Sequence, residues 1–311
     1  MKNYFHAGEL QNIEFVVIYA KYKGQWVYCF HRGRQSFEHP GGHVEPGETA
    51  IAAAFRELWE ESGITDCYLI PVWDYEQIWE DGIGRNNGRA YFAIVHSLGV
   101  LPKSEMERVA LFDDVPDNYT YDCEEERADF ARIEEALKSN PRGYKRVVVC
   151  PYDEGWAQDF SRIRDELSEA LGGLALRIEH VGSTSVRGLS AKPIIDIDVV
   201  IADATKLEPT VAALANIGYV HEGNGGIAGR EVFGYDGKEH LRKHHLYVCT
   251  EDSPELRRHL TFRDYLRAHP EAVAEYSRVK EEGAARFPFD IDGYIAYKSP
   301  CIETLYRRLG I

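Results

Sequence analysis

One stretch, Gly42–Ile64, constrains this chain more than any other; it reads GHVEPGETAIAAAFRELWEESGI. Glu57, Glu60 and Glu61 stand at i, i+3 and i+4, so a helix through them carries three carboxylates on one face. Unpaired like charges at that spacing repel by about 0.2–0.5 kcal/mol per pair. The crowding points to a cation. Ile51, Ala54, Phe55 and Leu58 recur at i, i+3, i+4 and i+7 and supply the opposite, apolar face that docks a helix on a core. Such a helix is a rigid mount for a hard divalent metal, and Mg2+ favours a few carboxylates with waters and substrate phosphates. The pairs Gly41-Gly42 and Pro46-Gly47 mark a tight loop that brings backbone close to metal or phosphate.

The stretch resembles the Nudix box of pyrophosphohydrolases: Gly, five residues, Glu, seven residues, then Arg-Glu-aliphatic-any-Glu-Glu-any-Gly-aliphatic. Gly42, Glu48, Arg56, Glu57, Leu58, Glu60, Glu61, Gly63 and Ile64 fill every specified position, nine matches over 23 residues. The resemblance implies Mg2+, with Mn2+ as a substitute, held by Glu57, Glu60 and Glu61 with the Gly42 carbonyl as a further ligand. It also implies that Glu48 and Arg56, with Gly63, support the loop-helix-loop geometry. The chemistry the resemblance implies is hydrolysis of a pyrophosphate linkage, with water brought in line with phosphorus while cations neutralise the non-bridging oxygens. The general base is either a box glutamate or one from a later loop. Glu105 is the external candidate and Glu107 competes with it.

Substrate choice lies outside the box. FEHPGGHVEPGE and EMERVALFDDVPDN resemble a bacterial subgroup assigned to 8-oxo-dGTP diphosphatases. That similarity implies a nucleoside triphosphate, ordinary or oxidised. A nucleotide sugar or ADP-ribose-type diphosphate is the enzyme alternative, and a non-catalytic nucleotide sensor the alternative of another class. Phe37, Trp79 and Tyr91 are candidates to stack a base.

Length and charge bound the rest. The chain of 311 residues is long enough for two domains. A net charge of −15 argues against general nucleic-acid binding, which wants a basic surface. Residues 1–140 hold 13 Lys and Arg against 25 Asp and Glu, so most of the acidity falls there. No apolar run approaches the roughly 18 residues of a membrane span, and MKNYFHAGELQ lacks a signal-peptide core. The expected location is the cytoplasm, with no membrane partner. The six cysteines have no metal or redox spacing and read as reduced, buried small hydrophobes.

Along the chain, Ile13–Ala20 and Gln25–His31 read as a hairpin. Asp66–Trp73, Arg89–His96 and Val109–Phe112 read as strands, with a Gly/Asn-rich loop at Asp81–Gly88 and a helix at Glu124–Lys138. The turn signal at Ser139–Gly143 places a boundary: a first domain over 1–140, a linker over 141–145 and a second domain over 146–311.

The second domain is expected to open with a strand, Arg146–Cys150, and an amphipathic helix, Trp156–Leu171, with Phe160, Ile163, Leu167 and Leu171 on one face. Then comes LRIEHVGSTSVRGLSAKPIIDIDVVI. Alternation puts Asp196 and Asp198 on the same side of their strand, a costly pairing to bury without a cation. A Gly-Ser turn followed after about a dozen residues by Asp-aliphatic-Asp resembles the nucleotidyltransferase superfamily signature. IEHVGSTSVRGL, AKPIIDI, His244-His245-Leu246 and RRHLTFRDYLRAHP narrow the resemblance to the GrpB family, over about residues 147–305. The family commonly has Pro where this chain has Arg187. The resemblance implies Mg2+ on Asp196 and Asp198, and nucleotide or phosphate contacts from Gly182, Ser183, Thr184, Ser185, Lys192 and His245, with Arg242 and Lys298 as further polar partners. Glu179 and Glu231 are candidates for a third carboxylate. If His244 and His245 lie on a strand, one faces the core and the other the cleft. Arg257, Arg258, Arg263 and Arg267 read as a solvated helix face.

The expected architecture is α/β (α+β): an N-terminal Nudix α/β/α sandwich with a mixed sheet, then a nucleotidyltransferase-like α/β domain. The small-molecule partner is a nucleotide. The second domain either binds a nucleotide or phosphate ligand or transfers a nucleotide itself.

Overall fold

The computed structural model describes residues 2–78, 84–139 and 141–310. The chain divides into two compact units: residues up to Arg146 with Phe289–Ile291, and Val147–Pro288 with the residues from Asp292 onward.

The first unit runs β1 (Lys2–His6), β2 (Phe15–Tyr22), β3 (Gln25–His31), β4 (Ser36–Glu38), β5 (Gly41–His43), α1 (Ala50–Ser62), β6 (Asp66–Ile78), β7 (Arg85–Ser97), β8 (Met106–Phe112) and α2 (Cys123–Leu137). Its sheet has the order β1-β6-β7-β2-β3-β4, with β5 on β2 and β8 on β3. β2 runs parallel to β7 and antiparallel to β3, so the sheet is mixed. Alternation along β2 divides the core. Val16, Ile18 and Ala20 face one layer, where Ala53, Ala54, Phe55 and Leu58 of α1 pack with Leu69, Tyr91 and Ala93. Tyr19 and Val17 face the other, among Trp26, Tyr28, Phe30, Trp73 and Ile133 of α2. Fully burying an aliphatic or Phe side chain contributes about 1.5–3 kcal/mol, which fixes α1 on the sheet. Thr49 caps the start of α1, and Gly63 closes it at φ 75°, a left-handed position that suits glycine.

The second unit runs α3 (Gly155–Leu171), β9 (Ala175–Val181), β10 (Ile195–Ile201), α4 (Leu207–Ala215), β11 (Tyr219–His221), β12 (Glu231–Tyr235), β13 (His244–Thr250), α5 (Pro254–Ala268), α6 (Pro270–Arg286) and α7 (Ile291–Leu309). The sheet order is β11-β12-β13-β10-β9, with β10 parallel to β13 and antiparallel to β9. β10 is central, and its Ile195, Ile197 and Val199 are buried with Trp156, Ile163, Leu167 and Leu171 of α3. The expected α/β class is present, as two mixed sheets with seven helices among the described residues.

One expected element is absent. Residues 146–150 form no strand; Cys150 makes an isolated bridge with Ala191, and the Val147 amide donates to the Pro288 carbonyl. The segment spends its backbone groups on loops rather than on a ladder, and Val148 is exposed. β6 and β7 also run longer than the expected Asp66–Trp73 and Arg89–His96, and part of the expected Asp81–Gly88 loop lies outside the described residues.

Candidate functional site

In the first unit a cavity of about 710 Å3 opens against α1, β5 and the aromatic layer of the sheet. Glu57, Glu61, Gly41, Gly42, Arg56 and Glu105 line one end. Gly42 lies on β5 opposite Val16, and a Cβ there would overlap the Glu57 carboxylate. Only glycine permits this approach. The Gly41 amide donates to Glu61 Oε2 at 3.0 Å.

Arg56 organises the loop. It donates to Glu48 through Nε (3.2 Å) and Nη2 (2.9 Å), and to the His43 carbonyl at 2.9 Å. Its Nη1 donates to Glu57 Oε1 at 2.8 Å and to Glu60 Oε2 at 3.1 Å.

The three box carboxylates are not equivalent. Glu61 is buried, and burial, with the nearby charges of Glu57, Glu105 and Glu38, pushes its carboxyl up to about 8 despite the Gly41 amide. Burial also raises Glu57, with Arg56 opposing. Glu60 has a side chain 42% exposed and lies outside the cavity lining, drawn to Arg56 by an i,i+4 ion pair. The expected convergence of all three is therefore not seen, and no group of three or more His, Cys, Asp or Glu forms a metal cage among the described residues. Mg2+ needs only one or two carboxylates beside waters and phosphate oxygens, and Glu57 and Glu61 with the close-approaching Gly42 backbone fit that demand. Of the two candidate bases, Glu105 lines the cavity and acts electrostatically on both Glu57 and Glu61. Glu107 is half-exposed and paired with Arg108 at 3.0 Å.

The rest of the cavity wall carries Tyr4, Tyr19, Trp73, Tyr75 and Tyr119, while Tyr121 lies within electrostatic reach of Glu61 and Glu38. Of the three stacking candidates, Phe37 and Tyr91 are in the core and Trp79 lies outside the described residues. Behind the tyrosines sits a buried network: Tyr28 and Tyr119 donate to Glu126 at 3.0 and 2.7 Å, His39 pairs with Glu126, and Tyr19 donates to Asp129 at 2.6 Å. Burial works against ionising Glu126, but His39 and the two hydroxyls outweigh it and hold the carboxyl below its ordinary value. Sequence spacing could not flag these residues, because partners such as His39 and Glu126 are far apart in the chain.

In the second unit a smaller cavity of about 310 Å3 is lined by Gly182, Ser183, Asp196, Arg230, Tyr247, His259, Arg263 and Lys298, with an apolar side at Phe262, Leu266 and Ile302. Gly182 has φ 67°, and a Cβ there would overlap Asp196. Asp196 and Asp198 share one side of β10, each engaged by a histidine: His245 Nδ1 to Asp196 Oδ1 at 2.8 Å, His259 Nδ1 to Asp198 Oδ2 at 2.8 Å. Asp198 is fully buried and its Oδ1 has no partner. Burial raises its carboxyl, against His259. That orphaned oxygen next to Asp196 fits a cation.

The remaining candidates divide. Thr184 donates to the Ile194 carbonyl at 3.2 Å and Ser185 to the Gly182 carbonyl at 2.6 Å, so both hydroxyls brace the turn and neither lines the cavity. Lys192 and Arg242 are not in the lining either; Arg242 donates to Asp159 at 2.9 Å. His244 is buried on Tyr219 at 2.7 Å, whereas His245 is half-exposed on Asp196, as strand alternation requires. Glu179 is taken by Arg263 (2.8 Å) and Glu231 by His221 (2.7 Å), which occupies both candidate third carboxylates. Arg263 is only 11% exposed and pairs with Glu179, so it is not part of a solvated face, whereas Arg267 stays nearly half-exposed while donating to the Ser185 carbonyl.

Comparison with known proteins agrees with two domains of different ancestry. Residues 15–148 match the NUDIX domain, and residues 146–308, more than half of the chain, match the GrpB protein family. The chain belongs to the GrpB family and carries a NUDIX domain ahead of its GrpB portion. It is 36% identical over 160 residues to the UPF0157 protein YqkA of Bacillus subtilis (strain 168), a match covering 51% of this chain and 46% of that protein. The chain thus spans about half the length of that relative. Among solved structures, conserved protein GrpB from Enterococcus faecalis is 31% identical, with 53% of this chain and 100% of that chain covered and a TM-score of 0.46. The pyrophosphohydrolase BsRppH of Bacillus subtilis is 23% identical, with 45% and 90% covered and a TM-score of 0.39.

Proposed function

We propose that the first unit is a Mg2+-dependent pyrophosphohydrolase that cleaves a nucleoside diphosphate derivative, a nucleoside triphosphate above others. The observation that carries this reading is the meeting of Glu57, Glu61, Glu105 and the Gly42 backbone at one end of a cavity with an aromatic far end. Its volume, about 710 Å3, is within the range of small-molecule sites. Bound Mg2+ would neutralise phosphate oxygens and lower the pKa of the attacking water. Glu57 and Glu61 would hold it, while Arg56 fixes Glu57 from behind. Glu105 accepts the proton of the water as its oxygen bonds to phosphorus and the bridging P–O bond breaks. The organic moiety lies against Tyr4, Trp73 and Tyr75, whose faces suit a nucleobase. With a triphosphate the products are a monophosphate and pyrophosphate.

A panel of nucleoside triphosphates, oxidised triphosphates, nucleotide sugars and ADP-ribose, assayed with Mg2+, tests this. Monophosphate plus pyrophosphate supports the triphosphate reading; two organic monophosphates favour the nucleotide-sugar or ADP-ribose class. No turnover of any member, with binding unchanged in Glu61→Gln, would favour a sensor.

We infer further that the second unit binds a phosphate-bearing ligand, with Mg2+ on Asp196 and Asp198. The support is the cavity at Gly182–Ser183 beside the orphaned Asp198 oxygen. Transfer of a nucleotide by this unit is the second reading. It requires that Asp196→Asn with Asp198→Asn abolish transfer and leave hydrolysis intact.

A further inference from the structure

Among the described residues, the lysines and arginines lining the first-unit cavity are Lys2, Arg34 and Arg56. Two of them are fully engaged. Arg56 is divided among Glu48, Glu57 and Glu60. Lys2 pairs with Glu125 at 2.8 Å, beside the Tyr75 ring of the aromatic wall. Arg34 differs from both. Its side chain is 51% exposed, and Nη1 alone donates to Glu38, a carboxylate only 5% exposed. A guanidinium has five donors in a rigid fork. Among the described residues, Nε and Nη2 of Arg34 have no hydrogen-bonded partner.

The turn between β3 and β4 fixes where Arg34 stands. His31 Nδ1 accepts from the Gly33 and Arg34 amides, both at 3.1 Å, and the Gln35 amide donates to the His31 carbonyl at 2.8 Å. The Arg32 amide donates to the Glu105 carbonyl at 3.0 Å, so the turn is tied to the loop of the candidate base. The Glu38 charge acts on Glu61, and Glu61 acts in turn on Arg34. Arg34 therefore stands at the carboxylate end of the cavity. Glu38, Glu57, Glu61 and Glu105 line that end against Arg34 and Arg56. A polyphosphate entering so acidic a place needs a cation whose donors are not already taken, and a guanidinium fork matches phosphate oxygens in pairs.

We propose that Arg34 binds the terminal phosphate of the substrate, with Glu38 holding the guanidinium in place, and so selects a nucleoside triphosphate over a pyrophosphate esterified at both ends. This rests on the hydrolase reading of the first unit and deepens it. A terminal phosphate carries up to about two negative charges at neutral pH. A phosphate inside a doubly esterified pyrophosphate has lost one ionisable oxygen to the ester. When water bonds to the inner phosphorus and the bridging P–O bond breaks, the electron pair of that bond passes to the departing pyrophosphate. Arg34 is then already placed on the group that gains charge.

The test pairs kinetics with calorimetry on the full chain in Mg2+. A nucleoside triphosphate is compared with ADP-ribose, measured as substrate or, where it is not cleaved, as competitor. Pyrophosphate is the binding probe. In Arg34→Gln the preference for the triphosphate over ADP-ribose should fall by roughly ten- to a hundredfold, the range for charge-assisted hydrogen bonds, and pyrophosphate binding should weaken by a similar factor. Arg34→Lys should recover part of both. Arg34→Gln also strands the Glu38 charge, so Arg34→Gln combined with Glu38→Gln separates two roles. If Arg34 served only as counter-charge to Glu38, the parent preference would return in the combined variant; a phosphate-binding role keeps it low. A parent that prefers ADP-ribose, a preference unchanged in Arg34→Gln, or one restored in the combined variant overturns the proposal. If the parent cleaves neither compound, the hydrolase reading falls and pyrophosphate binding decides for Arg34. Binding weakened in Arg34→Gln then keeps Arg34 as a phosphate ligand; binding unchanged there, or absent in the parent, removes it.

Discussion

Arg56 reaches Glu48 with two nitrogens and Glu57 with a third, so one guanidinium ties the entry of the loop to the cavity face of α1. Both Arg56 and Glu48 are mostly shielded, and their contact is two-pronged, the geometry in which Arg is not replaceable by Lys. Arg56→Lys keeps the charge and loses the fork and the His43 carbonyl contact. We expect a loss of about 1–3 kcal/mol in stability and a larger fall in kcat than in substrate affinity. Urea unfolding and steady-state kinetics measure both. An unchanged kcat would show that the loop does not depend on this tie.

Glu61 sets a pH dependence for the metal-free protein. Its folded value, about 8, lies above the ordinary 4.5. Between these values the folded state holds a proton that the unfolded chain has lost. The stability this group contributes is full below pH 4.5 and disappears as pH rises through 8, at up to about 1.4 kcal/mol per unit. In chelator, the unfolding midpoint of the first unit should therefore fall between pH 5 and 8. Glu61→Gln should flatten that slope, and Mg2+ should oppose it. A midpoint that climbs over this range in the parent protein contradicts the assignment.

His259 is the partner of a fully buried carboxylate whose other oxygen has none. Removing it by His259→Ala leaves Asp198 uncompensated, and breaking such a pair costs about 3–5 kcal/mol. We expect the second unit to melt several degrees lower. The combined variant His259→Ala with Asp198→Asn should recover most of the loss, because the stranded charge is gone. A single variant as stable as the parent would mean that Asp198 is already neutral.

Acid should loosen the second unit at its histidines. Burial pushes both His180 and His244 down to about 4, below the ordinary 6.5. The unfolded chain takes up protons there that the folded state refuses, so stability falls as pH drops from 6.5 towards 4. Chemical denaturation at pH 7 and pH 5 reads the difference. His244→Gln, which keeps a polar group near Tyr219, should show a smaller drop than the parent, and equal drops would remove His244 from the account.

Much of the first site was legible because its information is local. Helical spacing alone separates Glu57 and Glu61 from Leu58, and nine positions within one loop and helix carry the pattern. Glu105 was reachable by the same sequence reasoning, from its place ahead of a short strand. What spacing could not give was the direction of Glu60, which is decided by competition for Arg56. The aromatic end was missed for another reason. Tyr4, Trp73 and Tyr75 come from β1 and β6, and their meeting depends on strand order. In the second unit, alternation correctly separated His244 from His245, but Lys280 reads in sequence like any lysine on an amphipathic helix. Nothing in its neighbours says that its ammonium ends beneath Ser183. The strand expected at 146–150 failed because an apolar run does not say whether a sheet edge is there to receive it.

The contact between Gly42 and Glu57 has a bearing on how such a chain diversifies. No side chain fits between that backbone and the carboxylate, so Gly42 tolerates no substitution that leaves Glu57 in place. The aromatic wall has one such contact of its own, Gly88 against the Tyr75 ring, where a Cβ would also overlap, while Tyr4 and Trp73 have no glycine pressed against them among the described residues. On the proposed reading, exchange of Tyr4 or Trp73 would redraw which organic group is accepted and leave the Gly42–Glu57 contact as it is.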